Sequence, residues 1–514
     1  VKMLKQHPGG GRHYWRSLAA LRLSPEGEQH KAAPAGAPIA DQDGKLVFDH
    51  AGAAAVWTRH FADLIGRARA EPQDDAGNVI DACAGWERKP TLRSPEGLDL
   101  DRAFSVQELL GALRALKPHK AAGPDDVPVE ILRLADVGDD AKTNTFGLAL
   151  LQACNAVFAG GMELDARMLE AEFSTALASW HTVRLRPVLK KGGDATLTGA
   201  HRGIGIQSAV ARLLAMLVLR RLAPAAEHAN LLTRAQSGFR SYEEAVAQAA
   251  TLLEICSRRS ESGSATYLLF VDFATAYDSV PHTVLLRKLD FLGVRGQLHR
   301  LLQRCLAFNQ AQAMVGSVGG ERFSVQRGLI QGCPLSPLLF NLFINDLFSD
   351  TAGVPVPGLD GTRVADLKYA DDVVALARSR RGLRRRLESL TRWSVANGMR
   401  VGARKCGVMA VGTCAEDTKR RHKRLEARAQ RWCVGDNAWA GESSRIPVVA
   451  EYRYLGIHFN NALDVNAMAA TRAEAARKVF GMMHPMLRDR RLPLMERITL
   501  AKAFVMPVLL FGAE

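Results

Sequence analysis

The sequence contains no Cys-x-x-Cys pair. Its eight cysteines (Cys83, Cys154, Cys256, Cys305, Cys333, Cys406, Cys414 and Cys433) are scattered along 514 residues. That spacing excludes a zinc ribbon and a disulfide framework and points to reduced, intracellular thiols. Long apolar runs are also missing. The longest, such as Leu213 to Leu219, fall far below the ~20 residues of a membrane span, and no secretory leader is recognisable. No internal repeat is visible. Acidic residues are too few to balance the basic ones: 53 against 68 leaves a formal net charge of +15. The sequence pI is near 9.6. Such an excess suggests a polyanionic partner, usually nucleic acid.

What is present suits a soluble globular protein: 47% hydrophobic residues and a mean hydropathy of -0.07. Length alone suggests about two to four domains. The sequence starts at Val1, not Met, and stops at Phe511-Gly512-Ala513-Glu514 within an apolar segment, so a longer parent protein is expected. Residues 1 to about 100 are rich in Ala, Gly and Pro and read as linker. One helix is expected there, from Ala54 to Leu64, with Val56, Trp57, His60, Phe61 and Leu64 at helical spacing. Ser105 and Glu108 have the capping-box spacing and open the next helix. A helix over 208–222 should turn Arg212, Arg220 and Arg221 outward.

Alternation from Val183 to Leu189 predicts a strand that ends in the charged turn Lys190-Lys191-Gly192-Gly193-Asp194. Ser336 as N-cap with Pro337 in the first turn predicts a helix start. Lys419, Arg420, Arg421, Lys423, Arg424, Arg428 and Arg431 crowd residues 418–431. Their default reading is a solvated helix face. Two helices, separated at Pro485, should close the chain.

Two acidic centres stand out. Tyr267-Leu268-Leu269-Phe270-Val271-Asp272-Phe273 is an apolar strand that ends in a carboxylate. Asp272 there is costly unless a metal or a base partners it; an acid satisfied by a helix cap or a salt bridge is the plain alternative. About 100 residues on, Tyr369-Ala370-Asp371-Asp372 lies between apolar runs and reads as a hairpin with its acids at the tip. An ordinary exposed turn is the plain alternative, as for Asp125-Asp126. If the strands are neighbours, Asp272, Asp371 and Asp372 converge, and three acids can hold two Mg²⁺ ions (or Mn²⁺) about 3.5–4 Å apart for in-line displacement at phosphorus. Basic residues should then face a triphosphate; Lys190, Lys191 and Arg202 are candidates.

Several ordered blocks resemble the reverse transcriptase of non-LTR (LINE-type) retrotransposons. Lys120 to Pro128 is similar to the lead-in loop, and Lys190-Lys191-Gly192 with His201-Arg202-Gly203-Ile204 to fingers motifs. Gln236 to Arg240 is similar to a further fingers block. Val271-Asp272-Phe273-Ala274-Thr275-Ala276-Tyr277-Asp278 resembles motif A, Gln331 to Pro337 motif B, and Tyr369 to Asp372 motif C. Asn397 to Lys405 resembles motif D, and Tyr454-Leu455-Gly456-Ile457 motif E. The resemblance covers about 117–460 and continues more weakly beyond.

The resemblance implies an α+β right-hand polymerase: fingers, a palm with an antiparallel sheet, and a helical thumb, behind a partly disordered N-terminal region. The expected divisions are 1–103 for the N-terminal linker with one helix and 104–265 for lead-in and fingers. The palm takes 266–460, with a basic insertion at about 415–445, and the start of a thumb 461–514. Asp272, Asp371 and Asp372 match the metal-binding acids. Arg202 and a lysine of the Lys190-Lys191 pair would grip the triphosphate. Tyr277 would lie beneath the incoming sugar and exclude a 2′-hydroxyl, Gln331 would touch the template–nucleotide pair, and Lys405 would donate a proton to pyrophosphate.

The implied activity is RNA-directed DNA synthesis from dNTPs on an RNA template, with a DNA primer or target DNA, in the nucleus. Oligomeric state is not implied. Two departures, His201 for an aromatic and Gly203 for a proline, predict altered fingers detail. No nuclease-like segment precedes residue 100 and no Cys/His cluster follows residue 460, so only a polymerase part is expected. Rival readings are a catalytically silent, RNA-binding, maturase-like protein and a nucleotide cyclase.

Overall fold

The computed structural model describes residues 38–68, 73, 79–139, 142–160, 180, 182–307, 309–429 and 445–511. In chain order the elements begin with β1 (Ile39–Ala40), β2 (Leu46–Val47), α1 (His50–Ile65), α2 (Val106–Ala115), α3 (Val129–Leu132) and α4 (Thr145–Ala159). Next come β3 (Thr182–Leu189), β4 (His201–Ile206), α5 (Ala209–His228), α6 (Ala245–Glu261), β5 (Thr266–Val271), α7 (Ala276–Ser279), α8 (His282–Phe291) and α9 (Gly296–Ala307). Then follow β6 (Gln310–Val315), β7 (Val318–Ser324), α10 (Ser336–Ile344), β8 (Val354–Pro355), β9 (Arg363–Val364), β10 (Asp366–Tyr369), β11 (Asp372–Ala377), α11 (Arg380–Ala396) and β12 (Gly407–Val411). The last are α12 (Ala415–Ala429), β13 (Glu451–Tyr454), β14 (Ile457–Asn460), α13 (Val465–Arg488), α14 (Leu494–Phe504) and α15 (Met506–Leu510). Among the described residues no helix is long and apolar enough to cross a membrane.

Two four-stranded sheets organise this α+β fold. The palm sheet has the order β10-β11-β5-β12, and the fingers sheet β4-β3-β6-β7. β5 is antiparallel to both neighbours, with Val373 opposite Val271 and Gly407 opposite Phe270. All six β5 residues are buried, because both faces of the sheet are covered. Leu269 and Val271 join a large helical core with α10 and α11 residues such as Phe340 and Leu387. Leu268 and Phe270 face a second core with Leu252 of α6 and Phe459 of the β13–β14 hairpin. Period-2 alternation thus serves two cores at once, which is why β5 reads as a continuous apolar run.

The N-terminal helix is longer than its sequence pattern suggests, and it is no linker element. Asp49 caps α1 through Gly52 N–H at 2.7 Å. Trp57, Phe61 and Ile65 of α1 are buried against Val183, Leu185 and Ala311 of the fingers sheet. This docking explains the two fingers departures. A Cβ at Gly203 would come within 2.7 Å of the Phe61 ring, and His201 meets Trp57 edge-on at 4.8 Å between ring centroids. Residues 1–37, expected to be partly disordered, lie outside the described residues. Residues 89–101 are pinned along α8 and α9: Lys89 N–H donates to Phe291 O at 2.8 Å, and Asp101 accepts from Gln297 and Leu298 N–H at 2.8 and 2.9 Å.

Three local expectations are corrected. Arg221 does not face outward; it is buried. Its guanidinium donates to both Glu108 oxygens at 3.0 and 2.8 Å and to the Leu100 and Arg102 carbonyls at 2.8 and 2.6 Å. The same Glu108 completes the capping box with Ser105. Ser336 is not the N-cap of α10, because the helix already includes it and its hydroxyl donates to Ile330 O at 2.9 Å. Helix α13 runs through Pro485 to Arg488. The proline sits in the final turn, where its missing N–H removes only one ladder bond. On the basic helix α12, Asp417 braces Arg420 and Arg421 at 2.6 Å each, while Lys419, Lys423, Arg424 and Arg428 are exposed. Arg431 and Cys433 lie outside the described residues.

Candidate active site

The site forms where β5 and the β10–β11 hairpin end side by side. Asp272 directly follows β5 and Asp372 opens β11, one residue beyond the Val271–Val373 pair. Asp371 occupies the two-residue turn between Tyr369 and Asp372, which face each other across the hairpin. Ala370, the other turn residue, has φ of 55°, in the left-handed region that a non-glycine residue enters only when its surroundings hold it there. Buried Gln236 does the holding. Its Oε1 accepts from Ala370 N–H at 2.8 Å and from Gly238 N–H at 2.9 Å. Gly238 fits because it has no side chain; a Cβ there would sit 2.3 Å from Ala370 N. Asn341 Nδ2 donates to Gly238 O at 2.6 Å, tying this fingers block to α10.

Asp272 is fixed from the other side. Its N–H donates to Cys406 Sγ at 3.3 Å, and its carbonyl accepts from Gly402 N–H at 2.8 Å. Gly402 leaves a hollow for the carboxylate, since a Cβ would approach Asp272 Oδ2 to 2.7 Å. Tyr452 stacks on Phe270 at 4.2 Å and 10° and donates to Lys405 O at 3.0 Å. The β13–β14 hairpin therefore backs the same end of the sheet.

The three acids feel one another. Burial, then Asp371 and Asp272, raise the Asp372 carboxyl to about 6 from its ordinary 3.8. Burial raises Asp272, with Asp371 adding to the shift and Lys405 and Lys190 opposing it. Asp371 is raised by burial and relieved by Arg202. Asp372 is open to solvent at its surface but flanked by protein.

The carboxylates are electrostatic neighbours rather than a closed ligand set. Among the described residues, no three His, Cys, Asp or Glu side chains are gathered tightly enough to hold a metal. The donors nevertheless fit hard divalent cations: an all-oxygen set of mutually repelling acids, with Asp272 Oδ2 seated in the space that Gly402 leaves open.

The cationic candidates gather opposite. Burial, Lys405 and Arg202 lower Lys190, while Asp278 and Asp272 raise it. Lys190 Nζ donates to Gly199 O at 2.8 Å across its turn. Lys190 is electrostatically linked to Asp272 and Asp278; Lys191 beside it is exposed. Tyr277 stacks on Phe340 with centroids 4.6 Å apart and planes at 9°. Its hydroxyl is buried and has no hydrogen-bond partner among the described residues. Gln331 lies between fingers and palm: Gly205 N–H donates to its carbonyl at 2.8 Å, and its amide donates to Asp278.

Asp272, Asp371, Asp372, Lys190, Arg202 and Lys405 are thus linked through their charges, Asp371 also acts on Tyr277, and Gln331 bonds Asp278. The sequence reading assigned no part to Gln236, Cys406 or Asp278. Gln236 and Asp278 stood inside quoted motifs, but a role that runs through backbone N–H groups or a neighbour's amide leaves no trace in a motif's spelling.

Comparison with known proteins agrees with this geometry. Residues 188–459, more than half of the chain, match the family described as reverse transcriptase (RNA-dependent DNA polymerase). A retrovirus-related Pol polyprotein from a type-1 retrotransposable element R2 of Popillia japonica is 28% identical over 249 residues, 47% of this chain and 34% of the relative. The Pol polyprotein from the type-2 retrotransposable element R2DM of Drosophila melanogaster is 28% identical over 219 residues, 41% of this chain and 19% of the relative. A probable RNA-directed DNA polymerase from transposon BS of Drosophila melanogaster is 24% identical over 318 residues, 60% of this chain and 32% of the relative. The chain thus spans about a fifth to a third of the length of these relatives. With more than half of its length, residues 188–459, matched, the chain belongs to the reverse transcriptase (RNA-dependent DNA polymerase) family.

Proposed function

We propose that the chain is the polymerase part of a non-LTR retrotransposon protein, extending a primer 3′-hydroxyl with dNTPs on an RNA template. The observation that carries this reading is the meeting of Asp272, Asp371 and Asp372 at one end of the palm sheet, with Lys190, Arg202 and Lys405 within electrostatic reach. The printed names of the relatives, retrotransposon Pol polyproteins and a transposon polymerase, support the setting.

In this reading residues 104–265 are lead-in and fingers, 266–460 the palm with a basic insertion, except that β6 and β7 (Gln310–Ser324) join the fingers sheet, and 461–514 the start of a thumb. Asp272, Asp371 and Asp372 would hold two Mg²⁺ or Mn²⁺ ions. Those ions, when bound, lower the pKa of the primer hydroxyl and neutralise the triphosphate. Lys190 and Arg202 bind phosphate oxygens. Lys405 delivers a proton to the departing pyrophosphate. The Tyr277 ring, braced by Phe340, fills the space beneath the sugar and disfavours a 2′-hydroxyl. Positioning and charge supply most of the rate. The RNA template, DNA primer and nuclear site of action are parts of the same proposal.

Primer extension with dTTP on poly(rA)/oligo(dT) tests it, in Mg²⁺ and in Mn²⁺. Incorporation by the wild type that Asp272→Asn abolishes is the expected result. RNA binding without incorporation would favour the silent, RNA-binding alternative instead.

A further inference from the structure

Asp278 is a half-buried acid that the mechanism above does not use. It sits on α7, one residue after Tyr277, under the loop that carries Gln331. Gln331 Nε2 donates to its Oδ1 at 3.2 Å and lies 3.4 Å from its Oδ2. Among the described residues this amide is the only side-chain hydrogen-bond partner of Asp278. Lys190, Arg202 and Arg327 act on its charge from a distance without forming an ion pair. The two backbones are laced together: Leu329 N–H donates to Tyr277 O and Gly328 N–H to Val280 O, both at 2.8 Å. A Cβ at Gly328, where φ is 91°, would come within 2.9 Å of Asp278 O. The separation of Asp278 from Gln331 is therefore set by backbone and not by side-chain chance.

The chemistry of this pair is directional. An ionised carboxylate only accepts hydrogen bonds, whereas an amide donates at one end and accepts at the other. With Nε2 held by Asp278, flipping the amide would set Oε1 against carboxylate oxygens. We propose that Asp278 is a positioning residue that locks the Gln331 amide with Oε1 turned to the nucleotide cleft, so that the pocket offers a fixed acceptor to a hydrogen-bond donor on the incoming dNTP. The inference rests on the polymerase reading and adds a cause for the orientation of Gln331. Carbonyl-out rather than amino-out favours a nucleotide that presents a hydroxyl or amino group at that point.

The test uses the full chain and a mutant cycle on poly(rA)/oligo(dT). Asp278→Asn keeps size and shape but lets the amide pair either way round. It is expected to raise the dTTP KM about fivefold, the factor carried by one neutral hydrogen bond. The kcat should stay within about twofold and primer–template affinity should not change, because the contact belongs to the nucleotide alone. In a Gln331→Ala background the same change should add nothing. Asp278→Asn combined with Gln331→Glu restores a donor–acceptor pair with an oxygen facing the cleft and should recover much of the loss. A structural role for Asp278 would lower kcat, KM fidelity and melting temperature together, and would be additive with Gln331→Ala; that outcome overturns the proposal. Binding of dTTP with Mg²⁺, read by protection against thermal unfolding, keeps the two readings apart. A wild type that extends no primer counts against polymerase activity, while loss of dTTP protection in Asp278→Asn still supports the lock and unchanged protection refutes it.

Discussion

Replacing Gln236 with Leu should damage catalysis from a distance. The side chain is 0% exposed, so no water can take its place. Its Oε1 is the acceptor for two backbone N–H groups, those of Ala370 and Gly238. Leucine fills similar space but leaves both buried donors unmet, at about 1–3 kcal/mol each. The expected loss of stability is therefore about 2–6 kcal/mol, read from the midpoint and slope of urea unfolding. The further bond from Nε2 to Ala370 O is 3.5 Å long and adds little. Ala370 loses the acceptor that keeps it at φ of 55°, and Asp371 follows it in the turn. A displacement of about 1 Å in a reacting group can cost about 100-fold in rate. The kcat for dTTP incorporation should fall by that order, while the dTTP KM changes little, because Lys190 and Arg202 stand on β3–β4 and its turn. Gln236→Glu retains an acceptor oxygen and should lose less on both counts. A Gln236→Leu protein with wild-type stability and kcat would refute the claim that this side chain supports the catalytic turn.

Further outcomes follow from the same geometry. Gly203→Ala should destabilise the chain by about 1–3 kcal/mol, since its Cβ would stand 2.7 Å from the Phe61 ring; combining it with Phe61→Ala should change the penalty non-additively, as urea unfolding of the single and double variants would show. Tyr277→Phe should be close to neutral in stability and dNTP use, because the hydroxyl has no partner and the stack on Phe340 is kept. Tyr277→Ala should raise incorporation of UTP relative to dTTP in the extension assay. Without divalent metal, stability should fall as pH rises from about 4 to above 6. The folded Asp372 keeps until about 6 a proton that the unfolded chain gives up near 3.8. Because Asp372 is open to solvent, its share is discounted to about 1 kcal/mol. Asp372→Asn in EDTA should accordingly be the more stable protein at pH 7.5 and not at pH 4; equal urea midpoints at pH 7.5 would contradict the repulsion inferred among the acids.

The parts legible in the sequence share one property: their signal is local or repeats along the chain. β5 is written in six consecutive buried residues followed directly by Asp272, and the β10–β11 hairpin in apolar runs around two acids. The capping box at Ser105 and Glu108 is likewise a three-residue spacing. Contacts over long separations were not legible. Arg221 looks like a surface arginine until Glu108 and the Leu100 carbonyl, over a hundred residues away, close around it. The Ala- and Gly-rich N-terminal composition hides that Trp57 and Phe61 complete the fingers core. Gly203 and His201 look like eccentric spellings of a fingers motif until the N-terminal helix is seen to occupy the space above them. Proline misled in the other direction, because Pro485 breaks a helix only where turns remain to be broken.

The central claim is that Asp272, Asp371 and Asp372 form one metal-dependent polymerase site. The most direct measurement is dTTP incorporation on poly(rA)/oligo(dT) by wild type and Asp371→Ala at matched concentration, with RNA affinity measured in parallel. The account predicts Mg²⁺- or Mn²⁺-dependent extension by the wild type, loss of at least about 1,000-fold in Asp371→Ala, and equal RNA affinity for both. Equal incorporation by the two proteins would contradict it.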